Sequence, residues 1–185
     1  MIFNKHLNLS GCHAVFSPSQ SSWLRYDDKK AVEVYNNKRA ADWGTKLHDW
    51  AQQTINLGIK QPRTKKTLYA YVNDAIGFRM DTEVVLYYSD RFFGTADSIC
   101  FRDNVLRIHD LKTGKTPAHM EQLEVYAALF CLEYKIKPGD IQFELRLYQN
   151  DEVLVHNPTA EDILPIMDKI VHLNKILERL DYEEV

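Results

Sequence analysis

The chain has 185 residues, 45% of them hydrophobic, which fits one globular domain with a sizeable core. Its net charge of −3 argues against a protein that coats nucleic acid by bulk electrostatics, although a local cluster of either sign matters more than the sum. No apolar run of about 18 residues occurs and residues 1–10 lack a secretory apolar stretch, so no membrane partner is expected. Cys12, Cys100 and Cys131 form no CxxC pair, so neither a zinc site nor a disulfide framework is expected, and a reducing cytoplasm is the expected compartment.

In chain order, Ser17-Pro18-Ser19-Gln20 predicts a helix start, with Ser17 capping, Pro18 in the first turn and Gln20 reaching back. A short helix to Tyr26 is expected to follow. A longer one is predicted from about residue 29 to 57, with a break near Trp43-Gly44 and a stop at Gly58. Trp43, Leu47, Trp50, Ala51 and Ile55 recur along it at helical spacing. Lys60, Arg63, Lys65 and Lys66 form the densest basic stretch, readable either as a solvated loop or as a phosphate contact. A helix over about 64–76 places Leu68, Tyr71, Val72 and Ile76 on one side.

The pattern then turns to strands: 82–88, 91–102 and 105–112, joined by Ser89-Asp90 and by the tight turn Asp103-Asn104. Leu123, Tyr126, Ala127 and Phe130 mark a helix over about 118–134. Strand 141–148, turn Asn150-Asp151, strand 153–155 and a helix over about 160–180 complete the chain. The expected fold is α/β, a mixed central sheet flanked by helices in a single domain. Its helical part covers about 17–80, its sheet core about 82–156 and its last helix about 160–182. No GxGxxG or P-loop is present.

Two acids stand inside β-rich runs, Asp97 in the second strand and Asp110 in the third. Counting back from the Asp103-Asn104 turn, Arg102 faces Val105, Phe101 faces Leu106 and Asp97 faces Asp110. Two level carboxylates on neighbouring strands repel unless a cation lies between them, and a hard divalent ion with oxygen ligands answers that need. Lys112 follows Asp110 by two residues and so projects from the same face of the strand. Its amine can orient an attacking water and steady charge on a phosphate, while the Leu111 carbonyl offers a further metal ligand. The bland competitor is a structural Asp–Lys network within the sheet. Glu83 is the reserve acidic ligand, with a cross-strand partnership to Arg91 or Arg102 as its structural alternative.

Gly94-Thr95-Ala96-Asp97, then Asp110-Leu111-Lys112-Thr113-Gly114-Lys115, then Gln122 and Tyr126 resemble the motifs of RecB-like nucleases in the PD-(D/E)XK superfamily. Upstream, Gly44-Thr45-Lys46-Leu47-His48 is similar to a helical Gly-x-x-x-His element of that branch. His13 to Ser19 followed by Trp23 resembles the start of a phage-encoded group within it. The resemblance spans about residues 13–126. It implies a restriction-endonuclease-like core that binds DNA and cleaves phosphodiester bonds with Mg²⁺ or Mn²⁺.

Carried over residue by residue, His48, Asp97, Asp110 and the Leu111 carbonyl would be metal ligands. Asp97, Asp110 and Lys112 would carry catalysis, and Gln122, Tyr126 and Lys115 would bind or orient the strand or the lysine. The implied role is an exonuclease at DNA ends in phage or bacterial recombination, replication or repair, working in the bacterial cytoplasm with a partner protein of one of those processes. A structure-specific endonuclease, or a catalytically weak binding or scaffold subunit, is the alternative. Many relatives hold an iron–sulfur cluster on four cysteines. Here residues 23–27 read Trp-Leu-Arg-Tyr-Asp and no cysteine follows Cys131, so no cluster is expected, and packing of Trp23 against Phe16 is expected to pin the segment.

Overall fold

In the computed structural model, the described residues are 7, 12–114 and 117–183. Lys115 therefore lies outside them. Chain contacts divide the protein into two units, Met1–Thr45 and Lys46–Val185.

The first unit holds a 3-10 helix, Pro18–Arg25, where the sequence predicts an α-helical start capped by Ser17. The reason is local. The Ser17 hydroxyl sits 2.8 Å from that of Ser19, and the Trp23 indole N–H donates to the Ser17 carbonyl at 2.9 Å. Gln20 is non-helical (φ −121°, ψ 67°), so no capping box forms. Phe16 and Trp23 do meet, with ring centroids 6.2 Å apart. Helix α1 (Asp28–Asn56) starts at Asp27, whose carboxylate accepts the Lys30 N–H at 2.7 Å, an N-cap that satisfies one orphan donor. The helix continues through Trp43-Gly44, so the predicted break is absent.

The second unit contains the end of α1, then α2 (Thr67–Phe78), β1 (Asp81–Ser89), β2 (Phe92–Arg102), β3 (Val105–Leu111), α3 (Glu121–Tyr134), β4 (Gln142–Gln149), β5 (Glu152–His156) and α4 (Ala160–Glu183). The chain is α/β: one five-stranded sheet in the order β1-β2-β3-β4-β5, flanked by helices. All neighbours are antiparallel except β3 and β4, which α3 joins as a β-α-β crossover. Asp103 (φ 51°) and Asn104 (φ 58°) are both left-handed, as are Asn150 and Asp151, which is the backbone that two-residue hairpin turns require.

Strand alternation divides the core into two layers. Leu106, Ile108, Phe143, Leu145 and Leu147 pack with Leu123, Ala127 and Phe130 of α3 and Ile163 of α4. Leu111 and Tyr148 pack on the other side with Ala51 and Ile55 of α1 and Tyr71, Val72 and Ala75 of α2. Each fully buried leucine or isoleucine here contributes about 1.5–3 kcal/mol over leaving it exposed. Ala96 and Ile99 both pack on the α3 side although they lie three residues apart, while Cys100 packs on the α2 side. Regular alternation would put residues three apart on opposite faces, so β2 changes face between Ala96 and Ile99 while its register to β1 is kept from Thr82↔Ser98 to Val84↔Ala96. Asp97 stands inside that change.

His109 is fully buried on the α2 side. Its Nδ1 lies 3.3 Å from the Tyr148 hydroxyl, which itself donates to Asp74 at 2.7 Å. Burial first, then the positive charges of Arg146 and Arg107, push the imidazole down to about 3, so it stays neutral in the fold. An unfolded histidine takes its proton near pH 6.5. The stability His109 contributes is therefore complete above pH 6.5 and is lost as pH falls towards 3, by about 1.4 kcal/mol per pH unit. Denaturant unfolding of wild type and His109→Leu between pH 6.5 and 5 reads this as a difference in slope. The difference is needed because Asp97, described below, titrates in the same window with the opposite sign.

Candidate active site

Antiparallel pairing of β2 with β3 runs from Arg102↔Val105 to Ser98↔His109. The ladder ends there, and Asp97 and Asp110 are the next residue on each strand. The Asp97 side chain takes over at that step: its Oδ2 accepts the Leu111 N–H at 2.9 Å. The Leu111 backbone thus enters the site through its amide, which fixes the Asp97 carboxylate between the two strands.

On the other flank, Thr82↔Ser98 and Val84↔Ala96 bracket Glu83 and set it across from Asp97. Glu83 has φ 53°, a left-handed backbone inside a strand. For a residue with a Cβ this costs about 1–2 kcal/mol, and such strain persists where the surroundings over-determine it. Neither of its structural alternatives holds: Arg91 pairs with Asp181, and Arg102 donates to the Arg79 carbonyl at 3.1 Å. Instead, one ligand atom each from His48, Glu83 and Asp97 lies within 4.8 Å of the other two. His48 reaches the group from α1, with Nδ1 3.4 Å from Asp97 Oδ2 and 30% of its side chain exposed, so it is not sealed in the core.

Asp110 is 2% exposed. Lys112 Nζ lies 2.9 Å from its Oδ2 and 3.1 Å from its Oδ1, and only the Oδ1 contact has hydrogen-bond geometry. Oδ2 is therefore buried without a donor. Lys112 also donates to Gln122 Oε1 at 2.8 Å, and Gln122 Nε2 donates to the Tyr126 hydroxyl at 3.2 Å. The i, i+4 spacing on α3 makes that last contact. Asp110, Lys112, Gln122 and Tyr126 thus form one hydrogen-bonded chain. The predicted residues His48, Asp97, Asp110, Leu111, Lys112, Gln122 and Tyr126 converge, and Glu83 joins them.

The residues present fit a divalent cation. Burial first, and then the negative charge of Asp110, push Asp97 up to about 6, against the pull of the Leu111 N–H, His48 and Lys112. The negative charge of Asp110 opposes ionisation of Asp97, and Asp110 Oδ2 has no hydrogen-bond donor, so the pair can accept a further cation beside Lys112. Their donor set of carboxylate oxygens and one imidazole suits Mg²⁺ or, better, Mn²⁺.

Sequence reading assigns Tyr71 only to the packing face of α2. It lies beside the site, its phenol held well above its ordinary value by burial and then by Asp97. No local signal marks it, because only the docking of α2 on the sheet brings it there.

Gly94 of the Gly94-Thr95-Ala96-Asp97 segment has a steric role. A Cβ at this position would lie 2.9 Å from Tyr126 Cε1, closer than real Cβ contacts allow. Gly94→Ala is expected to displace the Tyr126 ring and lengthen its contact with Gln122, lowering activity about tenfold or more through misplaced groups while the fold persists. A thermal melt beside a rate measurement checks it; unchanged activity would mean that the ring position is irrelevant.

The chain matches no protein-family model, no curated protein and no solved structure.

Proposed function

We propose that this chain is a metal-dependent deoxyribonuclease of the PD-(D/E)XK type, an exonuclease that hydrolyses phosphodiester bonds at DNA ends in phage or bacterial recombination, replication or repair. One observation carries the reading. Two acids on neighbouring strands stand together, the half-buried Asp97 beside His48 and Glu83 and the buried Asp110 beside a lysine fixed in place.

His48, Glu83, Asp97 and Asp110 would hold Mg²⁺ or Mn²⁺, with the Leu111 carbonyl at hand. When bound, the ion would supply charge neutralisation at the phosphate and acidity to a water. Lys112 has three N–H donors and uses two of them, on Asp110 and on Gln122. The third is left to donate to a phosphate oxygen or to the attacking water. Because Asp110 and Gln122 fix the Lys112 side chain beforehand, little reorganisation is needed when charge develops. Tyr126 accepts from Gln122, which leaves its own O–H free to donate to the strand.

The test is to incubate linear and covalently closed circular DNA with EDTA, Mg²⁺ or Mn²⁺. The expected result is metal-dependent shortening of linear DNA with circles intact. Nicking of circles would make the protein an endonuclease. Retained gel shift without cleavage in any metal would make it a binding subunit.

A further inference from the structure

The direction of α2 is set by its ring contacts. Tyr71 meets Tyr148, centroids 5.4 Å apart, and Tyr148 pairs with Leu111 at the end of β3. Seven residues later, Phe78 meets His109 at 5.7 Å and carries Arg107 over its face at 4.7 Å. Helix α2 therefore runs antiparallel to β3. Its first turn, and the segment 58–66 leading into it, lie at the end of the sheet where Lys112 follows β3.

That segment carries Lys60, Arg63, Lys65 and Lys66, all exposed. Among the described residues no carboxylate pairs with any of them, whereas Lys30, Lys38, Arg91, Arg107 and Arg146 each have an acidic partner. The segment is held in shape. The Gln61 N–H donates to Asn73 Oδ1 at 2.8 Å, and Asn73 Nδ2 donates to the Gln61 carbonyl at 3.0 Å, a two-way clamp onto α2. Lys60, Arg63 and Thr64 line a groove of about 460 Å³ beside that clamp. The acid in its wall, Asp74, is already committed to Arg146 at 3.0 Å and Tyr148 at 2.7 Å, so the groove presents uncompensated positive charge. Two aromatic rings follow at the end of the basic segment: Lys66 Nζ lies 5.3 Å over Tyr69, and Tyr69 stands 6.3 Å from Trp50, which is 37% exposed.

We propose that this segment, with Trp50 and Tyr69, is the surface along which a single-stranded nucleic acid approaches the carboxylate site. Phosphates sit on Lys60, Arg63 and Lys65, and a base stacks on the exposed indole. A duplex hides the faces of its bases, so a cationic track joined to an open aromatic ring favours unpaired strand. Placing the scissile bond at the end of this track rests on the nuclease reading; the binding surface itself does not.

The test is fluorescence anisotropy in EDTA, where cleavage is prevented. Full-length protein is titrated into a short labelled oligothymidylate and into a blunt duplex of equal length, each over a series of salt concentrations. Wild type is expected to prefer the single strand. Lys60→Glu with Arg63→Glu should weaken binding about tenfold or more and flatten the log–log salt slope by roughly 0.7 for each lost phosphate contact. Trp50→Leu should weaken single-strand binding about tenfold and leave the salt slope unchanged. The charge reversals change exposed side chains only, so they remain a test even if the Trp50 variant misfolds.

Wild-type affinity and slope in the doubly reversed variant would overturn the surface, and the nuclease reading would stand if that variant still cleaved. Equal or tighter duplex binding by wild type would overturn the single-strand assignment. Binding that behaves as expected in a protein that cleaves nothing in any metal would keep the surface and sink the nuclease reading.

Discussion

Lys112→Met is expected to lower metal-dependent DNA cleavage by about 10³-fold, within the range typical of a positioned proton-transfer group. It is also expected to cost about 3 kcal/mol of stability, because it leaves the Asp110 carboxylate buried without its partner. Loss of activity alone would therefore not separate a catalytic lysine from a structural one. The double substitution Asp110→Asn with Lys112→Met separates them. An uncharged pair no longer strands a charge in the interior, so most of the lost stability should return. Cleavage should stay abolished, since neither the carboxylate nor the amine remains. Denaturant unfolding and a cleavage assay on wild type, both single variants and the double variant give the full comparison. Activity that returns with stability would make the Asp110–Lys112 pair a piece of sheet architecture and nothing more.

Glu83→Gly is expected to move stability and metal affinity in opposite directions. Glycine accepts φ 53° without the steric cost that glutamate bears, and the relief of about 1–2 kcal/mol exceeds the 0.5–1 kcal/mol that glycine loses through a more flexible unfolded chain. The metal-free variant should therefore be as stable as wild type or more stable by up to ~1 kcal/mol. Removing one of the carboxylates grouped with His48 and Asp97 should weaken Mn²⁺ binding about tenfold or more. Calorimetric titration with Mn²⁺ and chemical unfolding in EDTA read the two quantities separately. A variant that loses stability and keeps wild-type Mn²⁺ affinity would show that Glu83 supports the strand and not the ion. His48→Ala serves as the companion: affinity should fall, and high Mn²⁺ should restore activity.

Much of this was legible in the residues because a few of them tolerate few alternatives. Asp103-Asn104 and Asn150-Asp151 are pairs that accept left-handed backbone, so both hairpins, and the register of the one at Asp103-Asn104, follow from sequence. Once the first hairpin is fixed, counting places Asp97 against Asp110, and strand alternation places Lys112 beside Asp110. Helix starts were less legible. Helix α2 begins at Thr67 and α3 at Glu121, each three residues later than the sequence pattern suggests, and Lys66 and Met120 make no side-chain cap. Without a capping side chain, the first turn carries no chemical mark.

The strained Glu83 was not legible as such. Glutamate has no preference for left-handed backbone, and that conformation arises opposite Asp97, where β2 changes face. The role of Gly94 was hidden for a similar reason. The ring that forbids a side chain there belongs to Tyr126, on a helix that reaches the sheet only through the fold.

The account depends on a divalent cation lodging among Asp97, Asp110, Glu83 and His48. Anomalous diffraction from crystals grown with Mn²⁺ tests that directly. The predicted result is a manganese peak within bonding distance of Asp97 and at least two of the other three side chains, absent in crystals of Asp97→Asn. A peak elsewhere, or none at saturating Mn²⁺, would contradict it.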